Sequence, residues 1–163
     1  MTGPQVQKLV NQVEQSYARL EQALQGISEQ ELRSRPAPEE WSVAQVLGHV
    51  IEMAPLWSSK ARTAAQQRAE LPAKRTPEEA QARLAAVERY GKESRAAILD
   101  GLRSSKTKCI QTVSALEDSD LDTPKLRDGA PMTVRGFLDK QIITHVNEHA
   151  EQITAARKTA PKK

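Results

Sequence analysis

Ser42-Val-Ala-Gln-Val-Leu-Gly-His-Val-Ile-Glu-Met-Ala-Pro-Leu-Trp57 is the stretch on which the fold turns. Ser42 followed three residues later by Gln45 has the spacing of a capping box, and Trp41 just before it is placed to act as the apolar staple of a helix start. Beyond that start Val43, Val46, Leu47, Val50, Ile51, Ala54 and Trp57 recur at intervals of three and four. The pattern predicts a helix with one apolar face, running to roughly Glu70. Pro55 lies inside it and should kink it or force a local repair. His49 sits mid-way along, beside the apolar stripe.

The same period organises the rest of the chain. Val6, Leu9, Val10, Val13, Tyr17, Leu20 and Leu24 form a stripe ahead of Gly26, where a helix would stop. Ser28 to Glu31 has capping-box spacing for a short helical turn, and Arg35-Pro-Ala-Pro38 cannot continue a helix. Leu71 to Arg75 reads as a loop. Thr76-Pro77-Glu78-Glu79 combines an N-cap, a proline at the first helical position and a capping-box Glu. The region it opens runs towards Leu116, with Gly91, Gly101 and Ser104-Ser105 as places where it could divide in two. Asp118 to Pro131 reads as a loop, and Thr133 caps a last helix carrying Val134, Phe137, Leu138, Ile142, Ile143 and Ile153. An all-α, antiparallel four-helix bundle follows, with a short extra helical turn and a basic C-terminal tail. One domain is expected over 1–156, and 157–163 as a disordered tail.

Composition narrows the function classes. The chain has 163 residues, 24 Lys+Arg against 21 Asp+Glu, and a net charge of +3. Four of the basic groups lie between Arg157 and Lys163, and without them the body is near neutrality. With the basicity confined to the tail and no basic segment interleaved with aromatics, nucleic-acid binding is unsupported. No apolar run reaches the ~18 residues that suggest a bilayer span, and no secretory h-region follows the first residues, so no membrane role is expected. The single Cys suits a reducing compartment, and the expected location is the cytoplasm. Cys109, with no His or cationic neighbour in sequence to activate it, reads as a small buried apolar group.

The three histidines are the informative polar residues. His145 and His149 are four apart, so on a helix both rings project from one face, and that face also carries Leu138, with Ile142 and Ile153 one position round. A lone inward histidine is ordinarily a core residue satisfied by a neighbour. Three together each bury a ring nitrogen that costs about 1–3 kcal/mol without a partner, and a shared cation satisfies all of them. An i, i+4 pair plus one histidine from another helix is how a bundle assembles a three-nitrogen site for one divalent ion. The ferritin-like di-iron pattern is absent, because Val46, Ile142 and Val146 stand where its glutamates would.

Trp41-Ser-Val-Ala-Gln-Val-Leu-Gly-His49, preceded by Arg35-Pro-Ala-Pro38, resembles the signature of the DinB-like superfamily of metal-binding four-helix bundles, which includes the YfiT-type hydrolases. Thr133-Val-Arg-Gly-Phe-Leu138 leading into His145-Val-Asn-Glu-His149 resembles its last helix. The resemblance spans roughly Val6 to Ala156. It implies metal ligation by His49, His145 and His149. The expected ion is zinc or nickel, and imidazole ligands by themselves suit copper and iron as well. The stretch from Thr76 to Leu116 is longer than the family's usual third helix.

Three nitrogens leave a coordination position open, as in catalytic rather than closed structural zinc sites. Glu52, one turn after His49, is the candidate base, fourth ligand or orienting group, against the ordinary reading of a solvated helix carboxylate. Glu148 and Gln152 are candidates to orient a ligand from behind. The activity expected is hydrolysis by a metal-bound water. The alternatives are a metal-dependent transferase or isomerase acting with a low-molecular-weight thiol, and a non-catalytic, stress-associated bundle. The expected partners are a small-molecule substrate or such a thiol, and a second copy of the chain in a homodimer.

Overall fold

Each rod of the bundle begins where a side chain meets the otherwise unpaired amides of its first turn. The computed structural model describes residues 2–159. The Asp118 carboxylate accepts from the amides of Gln5 and Val6 at the head of α1 (Pro4–Ala23). Complete capping boxes at Ser28/Glu31, Ser42/Gln45 and Thr76/Glu79 open α2 (Glu29–Arg33), α3 (Val43–Gln67) and α4 (Pro77–Tyr90). Ser94 caps α5 (Arg95–Ser114), and α6 (Asp118–Leu121) follows closely. Thr133 caps α7 (Val134–Leu138), which passes without a break through a π-helical stretch, Asp139–Thr144, into α8 (His145–Thr159).

One point that the sequence leaves open is decided, and several expectations are revised. The long third region divides at Gly91 to Ser94, and α5 passes through Gly101 and Ser104-Ser105 intact. Asp118 to Pro131 is not a plain loop: it holds α6 and a hairpin of β1 (Lys125–Arg127) and β2 (Ala130–Met132). Asp128 and Gly129, with φ of 52° and 78°, supply the left-handed turn that a two-residue hairpin needs. The hairpin is tied to the loop before α4 by Leu71 N donating to Leu126 O. α3 ends at Gln67, three residues earlier than expected, on Arg68 in the left-handed region, and stays helical through Pro55. At the other end α8 carries on to Thr159, so Arg157 and Lys158 are helical and not part of a disordered tail. Arg157 donates to Ala23 O and Gln25 O and pairs with Glu31, pinning α8 to the end of α1. Residues 160–163 of the expected tail lie outside the described residues.

The core runs between α1, α3, α5 and the α7–α8 rod. Tyr17, Leu20, Leu47, Met53, Ile98, Phe137 and Ile142 are each less than 2% exposed. Cutting one such aliphatic side chain back to Ala would cost about 2–5 kcal/mol in transfer and cavity terms.

Contacts along the rods set the directions. Trp57 meets Phe137 while His49 meets His145, so α3 and the α7–α8 rod are antiparallel. Tyr17 meets Ser105 while the head of α1 meets Asp118, so α1 and α5 are antiparallel too. The other two neighbouring pairs are parallel. Gly101 lies against Ile51 and Cys109 against Ser58, so α3 and α5 run the same way. Arg135 reaches Gln5 and Arg157 reaches Ala23, so α1 and α8 also do. The reason is α4: at ~1.5 Å per residue its 14 residues return the chain about 21 Å along the outside of α3 before α5 begins. Lys60 pairs with Glu79 near one end of α4, and Gly48 faces Ala86 and Tyr90 near the other.

Candidate metal centre

The three histidines converge from two helices. α3 brings His49 in from its second turn, and α8 brings His145 and His149 from successive turns. The ring centroids of His49 lie 5.3 Å from His145 and 5.2 Å from His149, and the α8 pair stacks at 4.7 Å with 26° between planes. One ligand atom from each falls within 4.8 Å of the others, and no carboxylate or thiol joins the group among the described residues. His49 is buried, and His145 and His149 are half-buried. The fully inward stripe is Ile142 in the π-helical stretch with Val146, Ala150 and Ile153 on α8, so the histidine pair flanks the core on the side facing α3 rather than sitting in its middle. The π-helical stretch directly precedes His145. Its extra residue rotates α8 relative to α7 by about 100° against a regular α-helix.

The ring nitrogens suit a cation. His49 Nδ1 and His149 Nε2 are buried without a hydrogen-bond partner. His149 Nδ1 donates to Gln152 Oε1 at 2.9 Å, which leaves Nε2 as the ring's lone-pair nitrogen. Burial, then the neighbouring imidazoles, then Arg83 and Arg75, push His49 down to about 3. Burial, His149 and the same two arginines push His145 to about 4. His149 is also lowered, chiefly by burial, against the opposing pull of Gln152 and Glu148. All three are therefore neutral near pH 7, the protonation state that metal ligation requires.

The surroundings contain residues that periodicity did not single out as functional. Trp41, read from sequence as a staple, lies with its ring 5.7 Å from that of His49. The Arg83 guanidinium lies over the Trp41 ring, 5.2 Å from its centroid. Arg75 lies over Trp57 at 5.4 Å and pairs with Glu52 through both carboxylate oxygens. Glu52 thus has a partner, and it stands outside the histidine group. The signal for Arg83 was present but weak: Glu79, Arg83, Ala86, Val87 and Tyr90 recur at helical spacing on the inward side of α4 with two charged members. Met53 and Trp57 are core residues, Trp57 meeting Phe137 edge-on at 5.8 Å. Cys109 is buried, and burial pushes its thiol up to about 12.

A four-helix bundle with an internal return helix and a three-histidine group between two of its rods defines the class of protein. The chain belongs to the DinB superfamily, whose family model matches residues 12–153. It is similar in structure to an uncharacterised protein of Clostridium difficile 630, at 12% identity and a TM-score of 0.73, covering 99% of this chain and 100% of that one. It is also similar to YfiT of Bacillus subtilis, at 18% identity and a TM-score of 0.72, covering 97% and 89%. That protein is described as a probable metal-dependent hydrolase with an unusual four-helix bundle topology. A Streptococcus pneumoniae protein aligns at 13% identity and a TM-score of 0.70, covering 99% and 94%. No curated protein sequence matches the chain. Among the described residues no helix is long and apolar enough to cross a membrane.

Proposed function

We propose that the protein is a metal-dependent hydrolase acting on a small molecule, with one divalent ion held by His49, His145 and His149. The observation that carries the reading is a convergence of three neutral imidazoles with no fourth protein ligand among the described residues. A closed structural site would recruit a fourth side chain, whereas three donors leave room for substrate or water. The description of the Bacillus subtilis neighbour supports the same class. When bound, a divalent ion supplies Lewis-acid polarisation and acidifies a coordinated water.

The chain's own residues have the following parts. Gln152 orients His149 through Nδ1. Trp41 closes the side of the cluster next to His49 and excludes water there. Glu52 acts as an anchor for Arg75, because both of its oxygens are engaged by that guanidinium. Zinc or nickel is the proposed ion, the cytoplasm the proposed location and a homodimer the proposed assembly.

Elemental analysis of tag-free protein tests the site. One equivalent of metal in the wild type and its loss in His145→Ala are expected. Substoichiometric metal in the wild type, or unchanged metal in the variant, overturns the site. Metal-dependent turnover in a panel of ester, amide and phosphoester substrates, absent in His145→Ala, is the matching test of hydrolysis. A low-molecular-weight thiol that is consumed instead would favour transfer chemistry.

A further inference from the structure

The charges around the histidine group do not balance. Arg75 is matched by Glu52, and Lys60 is matched by Glu79 at 2.6 Å. Arg83, on the same inward side of α4 between those two pairs and Tyr90, has no hydrogen bond and no ion pair among the described residues, and its Nε is buried without an acceptor. Its guanidinium lies over the Trp41 ring, 5.2 Å from the centroid, and that ring in turn lies 5.7 Å from the ring of His49. No carboxylate belongs to the group. A divalent ion on three neutral imidazoles, beside an unmatched guanidinium, is a site whose positive charge exceeds what Glu148, the carboxylate that acts on His149, offsets. Such a site concentrates anions, and a low-dielectric wall such as the Trp41 ring strengthens the field.

We propose that Arg83 is the group that receives a carboxylate of the substrate, so that the site takes a small carboxylate-bearing molecule whose anionic end lies against Arg83 and Trp41 while its reacting end faces the three histidines. The planar guanidinium fork matches a carboxylate in two parallel hydrogen bonds, and its cation–π contact with Trp41 holds it in place before the ligand arrives. Binding supplies the acceptor that the guanidinium lacks. The contrast with Arg75 is informative: an arginine already held through both oxygens of Glu52 has no bidentate capacity to spare on that edge. Gly48 sets the placement of Arg83, because a Cβ at that position would stand 2.7 Å from Ala86 O and 2.8 Å from Tyr90 Cβ. Only a bare backbone there lets α4 lie close enough to α3 for Arg83 to reach over Trp41.

This inference rests on the metal reading above, and its test separates the two. The full chain is loaded with cobalt(II), whose visible spectrum reports on the ion's ligands, and metal content is measured first. It is then titrated with succinate and, separately, with inorganic phosphate, by calorimetry and by the cobalt spectrum. Expected are a saturable succinate complex in the wild type and affinity lowered about tenfold or more in Arg83→Gln, with metal content and helical signal unchanged. Arg83→Lys, which keeps the charge but not the fork, should recover part of the loss. Unchanged succinate affinity in Arg83→Gln, or no succinate binding to the cobalt-loaded wild type, overturns the assignment. Phosphate binding tighter than succinate and lost in the same variant overturns the carboxylate in favour of a phosphate-bearing substrate. A chain that takes up no cobalt sinks the metal reading itself, which the metal measurement registers before any ligand is added.

Discussion

His49 on α3 meets His149 on α8 nearly edge to face, with ring centroids 5.2 Å apart and planes at 85°. Two buried nitrogens at this junction, His49 Nδ1 and His149 Nε2, have no hydrogen-bond partner. The bundle therefore holds an unmet polar demand at the seam between two of its rods, and its expected responses to metal and to acid follow from that.

A bound divalent ion should stabilise the fold by joining α3 to α8. At a hundredfold excess of free ion over its dissociation constant the gain is about 2.7 kcal/mol. Thermal unfolding with zinc and then with a chelator measures it, and a midpoint indifferent to both would contradict the bridge.

The metal-free protein should lose stability as it is acidified. Unfolded histidines take up protons around 6.5, whereas His145 does so in the fold only near 4 and His49 near 3. Between those values the unfolded chain binds more protons, so stability falls with falling pH; the histidine contribution is fully retained only above about 6.5. Urea midpoints of chelator-treated protein at pH about 7.5 and about 5 test this. The difference should shrink in His49→Gln, and an equal difference would assign the loss to other groups.

Gly48→Ala should destabilise the protein although alanine is the better helix former. The new Cβ would collide with the α4 backbone at Ala86 O, so the helices must part. Overpacking of this kind costs about 1–3 kcal/mol, against a propensity gain of at most about 1. A urea titration decides it, and a variant as stable as the wild type would show that α4 yields freely.

Glu52→Gln should weaken the fold by about 1–3 kcal/mol by leaving Arg75 without its carboxylate in a mostly covered position. Combining it with Arg75→Met should restore part of the loss, which a double-mutant cycle would register. Strict additivity would mean that the pair contributes no coupling. Were Glu52 the base of the reaction, turnover in the double variant would remain abolished even with stability recovered.

Cys109 should be inert in the folded protein. Its side chain is fully buried, and burial raises its thiol to about 12, against a smaller opposing effect of Ser58. An aromatic disulfide reagent at pH about 8 should release one equivalent of thiolate only after denaturant is added. Rapid release from the native chain would refute the burial.

Helix starts were legible because they are local events. Ser42 and Gln45, or Thr76 and Glu79, satisfy one another's amides within four residues, and the same spacings occur in the fold. The apolar stripe of α1 was equally plain, since one face of one helix carries it. The division at Gly91 was not, because Gly91, Gly101 and Ser104-Ser105 carry similar local penalties. Packing decided among them: Gly101 passes close to Tyr90 and Ile51 inside a helix that its neighbours support. The π-helical stretch before His145 had no sequence mark either, since Asp139 to Thr144 reads as ordinary helix.

The sequence by itself determined that the chain makes amphipathic helices, and that His145 and His149 share a face with His49 on another helix. Those properties depend on residues within a turn or two of each other. Only the tertiary structure decided that α3 and α5 run parallel, that Glu52 is engaged by Arg75, and that Arg83 stands over Trp41 beside the histidines. Each is a meeting of side chains from separate elements, brought together by the return of α4 along α3. No local spacing encodes such a meeting; it arises when apolar burial and close packing select one arrangement of the helices.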